Sequence, residues 1–145
     1  MIMKTIINVF GKGDIGKSSA IKAAYAKLAK KQIGLNDFVD IRETVSINGV
    51  TIALASAGDN YDEVNRNIEF FETKDNCSVF VCASRTKGGT IGLITNYAKE
   101  KGYLLIEMSP CTYDRNSDTD LVDILTDINS DAIVNLIYKL IELEK

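Results

Sequence analysis

The strongest chemical signal in the chain is eight consecutive residues, Gly11-Lys12-Gly13-Asp14-Ile15-Gly16-Lys17-Ser18, which fit the pattern G-x-x-x-x-G-K-S/T. Each residue type has a physical reason to stand there. Glycines let backbone N–H groups turn inward around an anion without a Cβ in the way. A helix beginning at Lys17 adds unpaired N–H donors and the positive end of its dipole. The Lys17 ammonium brings a formal charge to the outer phosphates of a polyphosphate, and the Ser18 hydroxyl is suited to ligate Mg²⁺. Ser19 follows in the same first helical turn and is placed with them.

A second loop, Ser84-Arg85-Thr86-Lys87-Gly88-Gly89-Thr90, is basic and glycine-containing and follows an apolar run directly. Arg85 and Lys87 have the charge to stabilise a transferring phosphoryl group or to bind a phosphorylated second substrate. A solvated connector closing into the next helix accounts for the same residues equally well. Histidine is absent, which removes imidazole bases, His-dependent triads and zinc sites with His ligands. Cysteines at 77, 82 and 111 lack metal-ligand spacing and are odd in number, so reduced thiols in a cytoplasmic protein are expected. Cys111 has no histidine to activate it and reads as structural or incidental.

The elements that must position these loops alternate strand and helix. Thr5–Phe10 is a β-branched run typical of a buried strand. A helix is predicted over Lys17–Gln32, with Ile21, Ala24, Tyr25, Leu28 and Ala29 on one face. Glu43–Ile47 and Val50–Leu54 flank Asn48-Gly49, a strong hairpin signal, so these strands are expected to pair antiparallel. Helix Asn60–Thr73, strand Cys77–Ala83, helix Thr90–Lys101 and strand Tyr103–Met108 follow. Two final helices are predicted, Asp118–Asn129 and Ser130–Glu144, with Ser130 as the N-cap of the second. Polar loops, among them Ser56–Asp59 and Ser109–Arg115, all follow the carboxyl ends of strands, the edge where open α/β sheets bind ligands.

The whole chain, 145 residues with 46% hydrophobic and 26% charged, suits one domain spanning 1–145. A net charge of −3 argues against a nucleic-acid partner. No apolar stretch approaches the ~20 residues a membrane span requires, and the N-terminus lacks a signal-peptide layout. Charge is uneven: residues 1–31 carry seven lysines against one aspartate, whereas residues 114–145 are strongly acidic. That acidic stretch reads as a solvated helix surface or as a complement to the basic face of a neighbour in an oligomer.

The Gly11–Ser18 stretch resembles the loop of the P-loop NTPase superfamily, and especially the variant loop of nitrogenase iron protein and the partition and cell-division ATPases. That variant carries an extra lysine, matched here by Lys12, which in those proteins reaches the nucleotide of a dimer partner. The resemblance therefore implies a nucleotide-dependent homodimer. Asp14 departs from the variant's glycine; Asp tolerates left-handed backbone, but its charge beside phosphate lowers affinity. The order of elements is also similar to the small Ras-like GTPases. There the strand after the hairpin ends in D-x-x-G; here the aligned positions are Ala55 and Gly58, so the Mg²⁺-ligating carboxylate is missing. Asp59 is the nearest substitute, with Asp40 and Glu43 as further options, and Asp59 also reads as a helix N-cap. In that family the glycine aligned with Gly58 donates its N–H to the terminal phosphate.

The guanine-selecting N-K-x-D motif is absent, so ATP is the expected nucleotide, with GTP still open. The resemblance implies a three-layer α/β domain with a mostly parallel sheet in the order 2-3-1-4-5, strand 2 antiparallel at an edge. It implies Mg²⁺-dependent nucleoside-triphosphate binding with hydrolysis or phosphoryl transfer, Lys17 at the phosphates and Ser18 on the metal; the charge and position of the residues add Arg85, Lys87 and Asp59 as catalytic candidates and Asp59 as the second metal ligand. The alternative is a nucleotide-binding switch or pseudoenzyme controlling a protein interface.

Overall fold

A computed structural model describes residues 3–11, 16–30, 39–74, 76–86, 89–112 and 119–143. Along the chain run β1 (Thr5–Phe10), α1 (Lys17–Ala29), β2 (Arg42–Ile47), β3 (Val50–Ala55), α2 (Tyr61–Glu72), β4 (Cys77–Ser84), α3 (Gly89–Lys101), β5 (Leu104–Met108) and α4 (Thr119–Glu142). The strands form one five-stranded α/β sheet in the order β2-β3-β4-β1-β5, parallel except for β2 against β3. The expected antiparallel hairpin is present, and Asn48 and Gly49 both take positive φ (51° and 81°), as a tight turn of the strands' own twist requires.

The order corrects the expected 2-3-1-4-5: β4, not β1, lies against β3, and β1 lies against β5. β1 and β4 are both buried almost throughout, so their composition does not rank them, and the expectation followed the Ras-like order. The chain instead makes a β3–α2–β4 crossover between adjacent parallel strands, the arrangement successive strands most often adopt.

Alternation along the strands builds a core on each face. Ile7 and Val9 of β1 with Val79, Val81 and Ala83 of β4 face α1 and α4, where Ile21, Ala24, Leu28, Ile133 and Ile137 meet them. Ile6, Phe80 and Cys82 face α2 and α3, against Val64, Phe71, Ile94 and Tyr97. Phe71 stacks on Phe80 at 4.7 Å between ring centroids and meets Tyr97 and Tyr103 edge-on. The Tyr97 hydroxyl donates to Glu72, which anchors this cluster at the sheet's amino edge.

Two helix expectations change. α1 closes at Lys30, a left-handed C-cap at φ 55° whose N–H bonds to the Ala26 carbonyl; residues 31–32 lie outside the described residues. The final segment is one helix of 24 residues, not two. Ser130 is fully buried within it, its hydroxyl donating to the Asp127 carbonyl and accepting from Lys27 of α1. The sequence here has neither glycine nor proline to break the helix, so a polar residue that resembles a cap is absorbed as a bridge between two helices.

Candidate functional site

The chain leaves β1 toward the α1 face and β4 toward the α2/α3 face. Adjacent strands whose connections diverge in this way mark the customary ligand position at the carboxyl edge of an open α/β sheet. Lys17 lies at this point. Gly16, its predecessor, takes φ 87° and ψ 16° with nothing near the place of a Cβ, so conformation and not space calls for glycine there. The turn starts α1 with Lys17 as its first residue, only 5% exposed.

The Lys17 ammonium donates to the Gly11 carbonyl at 2.7 Å and to the Ser84 carbonyl at 3.0 Å. It thereby ties the helix start to the ends of both diverging strands. A buried ammonium needs such partners. Asp59 Oδ1 is 3.6 Å from this ammonium and 3.6 Å from Arg85 Nε. Asp59 and Arg85 are half-exposed or more, so water screens their pairing and its worth to stability is small. Arg85 is steadied from its backbone, the N–H donating to the Thr90 hydroxyl at the start of α3. Asp59 does not cap α2; Asn60 does, accepting from the Glu63 N–H at 2.9 Å.

Ser18 turns to a different carboxylate. Its hydroxyl donates to Asp40 Oδ1 at 2.9 Å, and the same oxygen accepts from the Ser56 hydroxyl at 2.8 Å. Ser56 is 1% exposed and holds the start of β2 in register, accepting from the Ile41 N–H and donating its own N–H to the Ile41 carbonyl. Ser18, Asp40 and Ser56 thus form a hydroxyl–carboxylate cluster beside Lys17. Among the described residues no three Cys, Asp or Glu side chains converge on one point. A phosphate-bound Mg²⁺ takes only one or two protein carboxylates, the rest of its shell being phosphate and water, and Ser18 with Asp40 offers that donor set.

Gly58 is fixed by crowding. A Cβ there would lie 2.2 Å from the Ala83 carbonyl oxygen, so only glycine allows the loop after β3 to lie against β4. Below the site, Asn8 is wholly buried in β1; its side-chain amide donates to the Ser84 hydroxyl at 2.9 Å, and its Oδ1 accepts from the Cys82 thiol at 3.7 Å. Burial pushes the Cys82 thiol up, far from thiolate chemistry.

Of the residues singled out in the sequence, Gly11, Lys17, Asp59 and Arg85 come together, with Gly16 shaping the turn and Gly58 the loop. Ser18 goes with Asp40 and not with Asp59, Ser19 is exposed on the first turn of α1, and Glu43 is exposed on β2. Lys12, Gly13, Asp14, Ile15 and Lys87 lie outside the described residues. Ser56, Asn8 and Asn67 escaped sequence reasoning. Each is a polar side chain inside an apolar strand end or helix face, a pattern that marks a buried group in need of partners. No described helix is long and apolar enough to cross a membrane. No family model, no curated protein and no solved structure matches this chain.

Proposed function

We propose that the chain binds a Mg²⁺–nucleoside triphosphate, ATP in preference, and hydrolyses it or transfers its phosphoryl group. One observation carries the reading: a nearly buried lysine, set by a left-handed glycine at a helix start, holds its ammonium where the two central strands diverge. An ammonium there, with the α1 N-terminus beside it, is matched to the outer phosphates of a nucleotide. In this reading Ser18 and Asp40 take the magnesium ion, Asp40 replacing the carboxylate missing at Ala55. Arg85 faces the charge that develops on the transferred group, and Asp59 is the nearest carboxylate for a water or an acceptor hydroxyl. The glycine-rich segment from Gly11 to Gly16 supplies the remaining N–H donors, Lys12 and Lys87 adding charge, and a homodimer follows from the Lys12 resemblance. Free thiols at Cys77, Cys82 and Cys111 suit a cytoplasmic setting.

A second reading, a nucleotide-dependent switch, is favoured by Ala55, which is buried and apolar where a metal carboxylate would stand in a hydrolytic relative. Thermal-shift titration with ATP, GTP, ADP and tripolyphosphate, each with Mg²⁺, tests binding. At a ligand concentration of 100 Kd the folded state gains ~2.7 kcal/mol, and Lys17→Ala is expected to lose that gain. Equal responses from wild type and Lys17→Ala overturn the site. Phosphate release, with and without acceptors, then separates enzyme from switch.

A further inference from the structure

Asn67 lies on the inward stripe of α2 with Val64 and Phe71 and is 1% exposed. An apolar side chain would pack there without partners; an amide must find them. Asn67 Nδ2 donates to the Ala57 carbonyl at 2.6 Å, and Asn67 Oδ1 accepts from Arg42 Nε at 2.7 Å. Ala57 precedes Asp59 by two residues, and Arg42 follows Asp40 by two. A single buried amide therefore joins the backbone leading to one carboxylate of the site to the strand leading from the other.

We propose that Asn67 is a positioning residue that couples occupancy of the Lys17 seat to the exposed edge strand β2. The inference rests on the nucleotide reading above and describes how that site is regulated. A phosphate arriving at Lys17 and Arg85 competes with Asp59, whose Oδ1 lies within 3.6 Å of both cations. Two anions cannot share that position cheaply, so Asp59 gives way. The segment that carries it turns about Gly58, which is lodged against Ala83 and has no Cβ to obstruct a change of backbone angles. Ala57 on the other side of this pivot shifts its carbonyl on Asn67, and the Asn67–Arg42 bond passes the shift to the first residue of β2. Among the described residues that strand has a neighbour on one side only, with Arg42, Glu43, Thr44 and Ser46 exposed, so the change reaches a surface a partner can read. Coupling is reciprocal: whatever holds β2 changes nucleotide affinity by the same factor.

Hydrogen exchange of the full chain, with and without Mg²⁺–ATP at saturation, tests this on wild type, Arg42→Ala, Arg42→Lys and Asn67→Ala, each titrated separately by thermal shift. In wild type, exchange over residues 41–47 is expected to change by about fivefold or more on binding. Arg42→Ala, altered at an exposed position, is expected to bind ATP but lose that change, Asn67→Ala to do the same if it folds, and Arg42→Lys to recover it. ATP bound with β2 exchange unmoved in wild type, or moved equally in Arg42→Ala, overturns the coupling and leaves the nucleotide reading intact. No ATP-dependent stabilisation of wild type at all overturns both.

Discussion

Lys17, the first residue of α1, donates from its ammonium to the carbonyl of Ser84, the last residue of β4, across 3.0 Å. A side chain from the helix that follows β1 thus closes on β4, one of the two strands that pair with β1, and β4 sends its own connection to the opposite face of the sheet. The sheet order, the divergence of the two loops and the seat of the lysine are one structural fact.

Without ligand, Lys17→Ala is expected to lower stability by about 1–3 kcal/mol, because the Gly11 and Ser84 carbonyls lose a charged donor. Ser84 keeps the Gly11 N–H at 3.2 Å, which limits the loss. Urea unfolding of the two proteins reads the difference directly. A change smaller than about 0.5 kcal/mol, the range of an ordinary surface substitution, means that the ammonium is not held as described.

Gly58→Ala separates a packing role from a conformational one. The added methyl would stand 2.2 Å from the Ala83 oxygen and 2.8 Å from the Ala83 Cβ, so the loop must lift off β4. Overpacking of this kind costs about 1–3 kcal/mol, and the cost is expected in the absence of any ligand. Gly92→Ala is the control: it has open space at the Cβ position and lies in α3, where alanine is the better helix former. If Gly58→Ala melts no lower than Gly92→Ala, the close approach is wrong.

The sequence was most legible where one local signal had one structural solution. The β-branched run at Thr5–Phe10, the Asn48-Gly49 turn and the 3.6-residue stripe of α1 each specify their element almost alone. Strand order was not legible, because β1 and β4 are interchangeable as apolar runs and only the crossover through α2 distinguishes them. Ser130 misled because a serine that starts a helix and one that bridges two helices look alike until Lys27 is seen beside it. In the site, the place of Lys17 followed from spacing, whereas Asp40 meeting Ser18 joins the start of α1 to the segment before β2 across 22 residues, a tertiary relationship with no local trace.

The three thiols report on burial of β4 without any mutation. Cys111 is exposed, Cys82 is wholly buried, and Cys77 is 1% exposed. Burial raises the Cys77 thiol despite the opposing charges of Lys4 and Lys74, and raises Cys82 further. A thiol reagent near pH 8 is expected to modify Cys111 rapidly in the native protein and the other two only at the rate of unfolding. Rapid modification of Cys77 or Cys82 would show that β4 is not the inner strand.

Lys27 gives a pH signature for the α1–α4 contact. Its ammonium meets Asp127 Oδ1 at 2.7 Å, Ser130 Oγ at 2.7 Å and Asp131 Oδ1 at 2.8 Å. Partial burial is the largest single influence and lowers its pKa, but the hydrogen bonds and charges of Asp127 and Asp131 together outweigh it and leave the group above its ordinary 10.5. A folded-state pKa raised above the unfolded one stabilises fully below the unfolded value, and that contribution fades as pH climbs through the folded one. The stability advantage of wild type over Lys27→Met is therefore expected to be level from about pH 7 to about pH 10 and to shrink above that. Taking the difference between the two proteins removes the titration of the tyrosines, which both share. An advantage that grows with pH in the alkaline range, or is absent at neutral pH, would mean that the clamp contributes nothing to holding α4 on α1.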